Sequence, residues 1–352
     1  MRSVHVLLPD GVDDPARPSG GNVYDRRVCR GLAEGGWSVR ERVVPGGWPA
    51  ADRKAVGDLR RALASAPDDA VVLVDGLVAS AAPEALVPAA GRVRLCVLLH
   101  LPLGATTDDE AVRTSERAVL QAAAVVVTTS GWGRRWVVRE YGLEPSRVHV
   151  APPGTDPALV APGTAAGGRL LCVAAVTGGK GHDLLVAALA GLQELPWQCV
   201  CVGSLGRDPD FVDRLRSQAR DSCVADRVHL VGVRAHDDLA ASYAAADLLV
   251  LASRFESFGM VVTEALAHGL PVVSTDVGGL PATLGLLPGG YRPGLLVPPE
   301  DPAALAGALG RWLRDRTLRE SLREAARRRR ASLMGWETTT ERLSRVLARV
   351  AA

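Results

Sequence analysis

The chain has 352 residues and a formal net charge of +2, with 47% hydrophobic residues but only 4% aromatic ones. That length suits two α/β domains of ordinary size, and the near-neutral charge offers no electrostatic footprint for nucleic acid. Apolar runs are interrupted well before the ~20 residues of a membrane span, so no spanning helix is expected.

Met1-Arg2-Ser3 leads straight into the strand-like residues 4–8, too short a run before Pro9-Asp10 for a secretory signal, and a cytoplasmic location is expected. Further strand-like runs at 39–44, 70–74, 93–99, 125–129 and 148–151 alternate with helical stretches, the rhythm of βα units and a parallel sheet. Residues 152–157 and 161–168, rich in Pro, Gly and Ala, continue neither element and read as a hinge. The rhythm then restarts with strands at 170–176, 198–202, 227–231, 248–251 and 271–274, before successive helices at 302–330 and 336–350. Two Rossmann-like, doubly wound α/β domains are expected, at 1–156 and 157–335, with helix 336–352 available to pack back on the first. The arginine run 327–330 reads as a solvated helix face ahead of the other reading, a peripheral contact with anionic lipid. The six cysteines Cys29, Cys96, Cys172, Cys199, Cys201 and Cys223 form no CxxC pair and read as small core residues. Cys199 and Cys201 share one face of a strand but lack further ligands at suitable spacing, so no metal is expected.

Ligands of open α/β sheets bind at the carboxyl ends of strands, where polar residues interrupt apolar sequence. Residues 255–269 form the strongest such place: a loop containing Glu256, then Gly259, Met260 and Val261 at a helix start whose free amides make an anion site suited to a diphosphate. Glu264 lies farther along that helix among apolar neighbours, where its carboxylate needs donors. Vicinal ribose hydroxyls are one source, a neighbouring Arg or backbone amide another. Lys180 stands in the Gly-rich turn 177–183, which suits a phosphate but is no Walker loop, because Gly181 follows the lysine. Ser19-Gly20-Gly21-Asn22 opens the first helix, and His100 ends the strand-like run 93–99.

Together these motifs resemble glycosyltransferase family 4, which adopts the GT-B fold of two Rossmann-like domains facing across a cleft. The most specific stretch, ESFGMVVTEALAHGLPVVSTDVGG at 256–279, is similar to that family's EX7E segment and the strand and Gly-Gly turn after it. Gly20-Gly21, His100, Val127 to Ser130, Lys180-Gly181 and Val231-Gly232 add ordered matches. The resemblance implies a retaining, metal-independent hexosyltransferase that needs no cofactor and takes a nucleoside diphosphate sugar as co-substrate. It implies that Lys180 neutralises the diphosphate and that Gly20 and Gly21 close over it. Glu264 would hold the ribose, Glu256 and His100 the transferred sugar, and the backbone near Gly232 and Val233 the base.

The chain departs from the family pattern in three places, one of them the hinge, where Pro152-Pro153-Gly154-Thr155-Asp156 stands for Pro-Asn-Gly-Val-Asp. Ala174 to Gly179 lacks the arginine that often precedes the lysine, so phosphate affinity would suffer unless another arginine substitutes, and Ala282 stands where the Gly-Gly turn usually leads to Glu. Asn22, Asp75, Ser130, Arg134 and Arg135 are expected to face an acceptor, and the residues around Gly20-Gly21-Asn22 make a small phosphorylated polyol one candidate beside lipids and polysaccharides. A sugar-nucleotide epimerase, or a nucleotide-sugar-binding protein that has lost catalysis, stand as alternatives.

Overall fold

A computed structural model describes residues 2–352. The chain divides into two compact units, one containing the residues up to Asp14, Ser19–Gly154 and Met334–Ala352, the other Pro15–Pro18 and Thr155–Leu333. The first unit runs β1 (Ser3–Pro9), α1 (Gly20–Glu34), β2 (Ser38–Val44), α2 (Arg53–Ala64), β3 (Val71–Asp75), α3 (Gly76–Ala81), α4 (Pro83–Ala89), β4 (Arg94–Leu99), α5 (Glu110–Ala122), β5 (Val125–Thr128), α6 (Gly131–Tyr141) and β6 (Val148–Val150). The second runs β7 (Arg169–Val173), α7 (His182–Ala190), β8 (Gln198–Val202), α8 (Pro209–Asp221), β9 (Val228–Gly232), α9 (His236–Ala245), β10 (Leu248–Leu251), α10 (Met260–Ala267), β11 (Val272–Thr275), α11 (Leu280–Leu284), β12 (Gly294–Val297), α12 (Pro302–Arg314) and α13 (Arg316–Arg330). A last helix, α14 (Trp336–Ala351), belongs to the first unit.

Each unit is one six-stranded sheet whose described pairings are all parallel, in the orders β2-β1-β3-β4-β5-β6 and β12-β11-β10-β7-β8-β9. This is the doubly wound α/β class that the alternating pattern predicts. Central strands such as β3 and β10 are buried along their whole length, as continuous Val and Leu runs require, whereas the edge strand β2 exposes Arg40, Glu41 and Arg42, charges that discourage edge pairing. Ser19, Asp52, Asp208, Asp301 and Asp315 start their helices by accepting a backbone N–H three residues on. Among the described residues no helix is long and apolar enough to cross a membrane.

Sequence pattern and structure differ in places. β12 is absent from the pattern because its four residues form an edge strand between turn-rich segments, and β7 ends at Val173 rather than 176 because the chain turns there into the Gly-rich loop. The arginine run is not uniformly solvated: Arg330 donates Nε to the Ala267 carbonyl (2.8 Å) and Nη2 to that of Ala158 (2.6 Å), and Arg329 donates to Ser332. Upstream, Arg319 is buried and caps the carbonyls of Trp312 and Leu313, so these guanidiniums terminate orphan carbonyls of helices and linker. Residues 151–164 carry no regular structure, and buried Asp247 fixes their end by accepting from Thr164 Oγ1 (2.7 Å), Arg169 N (3.0 Å) and Arg323 (3.0 Å). In the first unit, α14 packs on α1 with Trp336 edge-on to Tyr24 at 5.8 Å, and Thr339 donates to the Pro152 carbonyl (2.7 Å).

In each sheet the winding reverses direction once, between β1 and β3 and between β7 and β10. Loops leaving such neighbouring strands diverge and open a crevice at their carboxyl ends. At the second of these points Gly181 has φ +67° and its backbone lies so close to the Ala252 carbonyl that a Cβ would stand 1.9 Å from the oxygen. Gly142 has φ +64° with open space around it. Gly142→Ala should cost about 1–2 kcal/mol, the penalty of a left-handed alanine, whereas Gly181→Ala should cost clearly more in urea unfolding; equal losses would mean that the β7 and β10 loops are not in backbone contact.

Candidate functional site

The crevice of the second sheet is built from the loops after β7 and β10. The first loop makes a 3-10 turn at Gly178–Lys180 before α7, and the second carries Ser253, Arg254 and Glu256 before α10. Lys180 Nζ meets Glu256 Oε1 at 2.6 Å, and Ser253 Oγ donates to the same oxygen at 3.3 Å. Arg254 clamps the two loops together: its backbone N–H donates to the Gly179 carbonyl (2.9 Å), while its guanidinium donates to both Asp183 oxygens (2.9 Å each) and pairs with Glu300. Although burial opposes it, this guanidinium holds Asp183 below the usual carboxylate range. The arginine missing before Lys180 thus has a neighbour from β10, but one already committed to two carboxylates.

Glu256 is held from behind. Gly278, φ +55°, approaches so closely that a Cβ would stand 1.8 Å from the Glu256 carbonyl, and Gly279 N donates to that carbonyl at 2.9 Å. Gly259, the α10 N-cap residue, precedes Met260 and Val261 in the first turn, where N–H groups lack carbonyls one turn back. Glu264, farther along α10, is partly buried and accepts from Tyr243 Oη at 2.6 Å through Oε2, leaving Oε1 without a protein partner among the described residues. Burial pushes its carboxyl up. Tyr243, stacked on His268 at 5.1 Å, supplies the donor that Glu264 required, in place of the Arg or backbone amide the sequence suggested. Gly232 ends β9 with its carbonyl taken by Gly203 N (2.9 Å), and Val233 is exposed next to it.

In the first sheet, β1, β3 and β4 bring three elements together. Gly20 and Gly21 open α1, capped by Ser19, and His100 follows β4. A Cβ on Gly21 would stand 3.1 Å from His100 Cδ2, so the second glycine is what lets the ring lie against the helix. His100 Nε2 is 2.8 Å from Asp25 Oδ1 and 3.3 Å from Asp75 Oδ2, and Tyr24 meets the ring edge-on at 5.1 Å. Asp25 and Asp75 are buried, whereas the His100 side chain is 19% exposed.

The acceptor candidates fall in different surroundings. Asp75 does not face solvent: it is buried, caps α3 at Leu77 N (2.7 Å) and contacts His100. Ser130 is the buried N-cap of α6, bonded to Gly133 N, and Arg134 ties α6 to the Val148 and Pro145 carbonyls (2.9 Å each). Asn22 keeps partial exposure while donating to the Gly11 carbonyl (3.2 Å), and Arg135 is exposed. Sequence reasoning missed Arg254, Tyr243 and Asp25, of which only Asp25 left a signal, a carboxylate on the buried stripe Tyr24, Val28, Cys29 and Leu32 of α1. Five of the cysteines are buried as core residues, whereas Cys223 is exposed, and Cys201 has Cys172 and His182 as neighbours, with ligand atoms within 4.8 Å of one another. All three are buried; contact with Cys201 and burial push the Cys172 thiol well up, and against the opposite effect of Cys172, contact with Cys199 and burial push Cys201 well up.

Residues 167–329 match the family Glycosyl transferases group 1, and residues 3–154 match the Glycosyl transferase 4-like domain. The chain is 36% identical over 249 residues to a D-inositol 3-phosphate glycosyltransferase of Kineococcus radiotolerans, covering 64% of this chain and 57% of that protein. A protein of the same name from Acidothermus cellulolyticus is 35% identical over 244 residues, 64% of this chain and 53% of that one. The alignments thus span little more than half the length of these relatives. Among solved structures, sucrose-phosphate synthase from Thermosynechococcus elongatus superposes with TM-score 0.82 at 24% identity, covering 99% of both chains. Anabaena HepE in complex with UDP-glucose gives 0.78 at 18% identity, covering 99% of this chain and 100% of that one. The two family matches follow one another along most of the chain, and its pair of parallel sheets shares the GT-B fold of these solved structures.

Proposed function

We propose that this chain is a retaining glycosyltransferase that moves a hexosyl group from a nucleoside diphosphate sugar to a hydroxyl acceptor, without a metal ion or other cofactor. The observation that carries this reading is the Lys180–Glu256 pair at 2.6 Å, on loops that also lead to the α10 N-terminus and, along that helix, to Glu264. A donor brings a charged diphosphate, a ribose and a sugar, and this crevice has one feature for each. The ammonium of Lys180 and the amides at Gly259, Met260 and Val261 supply the positive charge that a divalent cation would otherwise give. When Lys180 turns to the diphosphate, Glu256 loses its partner and accepts from hydroxyls of the transferred sugar. Glu264 accepts from the ribose through Oε1 while Tyr243 keeps its other oxygen occupied. The backbone near Gly232 and Val233 is assigned to the base, Gly20 and Gly21 to the diphosphate, and His100 to the transferred sugar.

In the reaction the bond from the anomeric carbon to the diphosphate oxygen breaks and the acceptor oxygen bonds that carbon on the same face. The acceptor proton passes to the departing diphosphate, which keeps the electron pair. Lys180 and the α10 amides stabilise the charge that develops on it, so rate enhancement comes from electrostatics and positioning. The acceptor class we favour is a small phosphorylated polyol, supported by the names of the relatives above, with the exposed or part-exposed Asn22, Arg134 and Arg135 as its candidate contacts. A cytoplasmic location, with any membrane contact peripheral, is part of the reading; its reducing environment suits six unpaired cysteines.

A panel of UDP-, GDP- and ADP-sugars tests the donor assignment. One donor should bind, and Lys180→Ala and Glu264→Ala should each weaken it about 10- to 100-fold, as loss of one charge-assisted contact of ~1.5–3 kcal/mol implies; failure of every donor, or an inverted product anomer by NMR, would overturn the proposal. Glu256→Gln separates the roles of the pair. Freed of its carboxylate partner, Lys180 should hold a nucleoside diphosphate without sugar at least as tightly, while transfer falls roughly 100-fold or more. Parallel loss of both would reduce Glu256 to a loop support.

A further inference from the structure

The His100 cluster holds more than the assignment above uses. Both carboxylates approach the same ring nitrogen, Asp25 Oδ1 at 2.8 Å and Asp75 Oδ2 at 3.3 Å from Nε2, while Nδ1 has no protein partner among the described residues. Two carboxylates can share one ring nitrogen only if it carries a hydrogen, so Nε2 is the protonated position in either charge state of the ring. With Nε2–H fixed, a neutral ring would present Nδ1 as an acceptor and a cationic ring would present it as a donor. The surroundings decide between these. Asp25 from α1 and Asp75 from the end of β3 are the ionisable groups that contact the imidazole. Tyr24, also from α1, turns its edge to the ring and donates its hydroxyl to the Ala151 carbonyl at 2.9 Å. The Gly21 backbone and Thr129, which donates to the His100 carbonyl at 3.0 Å, bring no charge. One buried carboxylate needs a counter-charge, and two need it more.

We propose that Asp25 and Asp75 are positioning residues that clamp His100 through Nε2–H as an imidazolium, so that it presents Nδ1–H as a cationic hydrogen-bond donor to an oxygen of the transferred sugar. The sugar assignment rests on the reading under Proposed function; the clamp and the charge state do not. Against the effect of burial, the two carboxylates, Asp25 foremost, push His100 up to about 10. Burial pushes Asp25 up to about 6, and its Oδ2 is buried without a hydrogen-bond partner. The sign follows from these directions. From about pH 6 upward Asp25 is a carboxylate beside an imidazolium, and His100 loses its proton only as pH approaches 10. Below about 6 Asp25 becomes neutral while His100 stays charged. An acid limb near 6 therefore reports Asp25, and no basic limb from His100 appears near neutrality.

Histidine-selective nitrogen NMR on the full chain tests this, with the His100 signals identified by their loss in His100→Gln. Both His100 ring nitrogens should remain protonated from pH 6 to about 9. Asp25→Asn should bring the transition down by at least ~10-fold in proton affinity, and Asp75→Asn should move it in the same direction by less, since that contact is longer. Asn can still accept from Leu77 N at the start of α3, so Asp75→Asn keeps the measurement available if Asp25→Asn does not fold. A wild-type His100 that titrates near the ordinary histidine value overturns the clamp, as does a transition unmoved in both variants. Adding the nucleotide sugar should shift Nδ1, and the nucleoside diphosphate alone should not; a donor that turns over without moving Nδ1 overturns the sugar contact. If no nucleotide sugar binds while both ring nitrogens stay protonated, the transferase reading has failed and the clamp has held.

Discussion

Two loops that leave neighbouring strands can act on one ligand only if their backbones are locked together, and at β7 and β10 this lock leaves no room for a side chain. Gly181 lies against the Ala252 carbonyl and Arg254 bonds the Gly179 carbonyl through its own backbone, while from the loop after β11 Gly278 lies against the carbonyl of Glu256. The placement of Lys180 and Glu256 follows from these contacts: each side chain leaves a segment of backbone that cannot drift from the other. The ion pair between them adds little stability in its own right, since Lys180 is 34% exposed, but it keeps two opposite charges ready at one place.

The first unit reaches a comparable result by another device. There the glycine serves an imidazole, Gly21 making space for His100 against α1, and both carboxylates meet the ring at its Nε2. In both sheets the chemistry stands where the winding reverses, because only there do adjacent loops diverge enough to leave backbone amides and side chains facing the same space. The apolar cores are large and ordinary; fully buried Leu, Val and Ala side chains fill both faces of the sheets and leave polarity to the strand ends.

Much of this was legible in the sequence for reasons that are local. The parallel sheets follow from apolar runs alternating with helices, and Lys180, Glu256, Glu264 and His100 stood out because each interrupts apolar sequence at a strand end or helix start. What escaped was long-range. Tyr243 is 21 positions from Glu264 and Arg254 is 71 from Asp183, so nothing in spacing links them. Asp75 and Ser130 looked like ligand contacts because they follow strands, yet a polar residue at that place also caps the next helix, and the cap is what the structure shows. β12 escaped because four residues at a sheet edge carry no periodicity.

The return of α14 to the first unit bears on how the protein is made. The second unit's sheet and flanking helices come from one uninterrupted stretch, Thr155–Leu333, but the first lacks its last helix until Met334–Ala352 has been added. On the ribosome, the Tyr24 ring that Trp336 meets, and the Trp37 indole that bonds Ser344 at 2.9 Å, lack these partners while the whole second unit is being synthesised. Domains usually fold as they emerge, beginning with the N-terminal one. Here the order is set to invert, with the domain that begins first completing last.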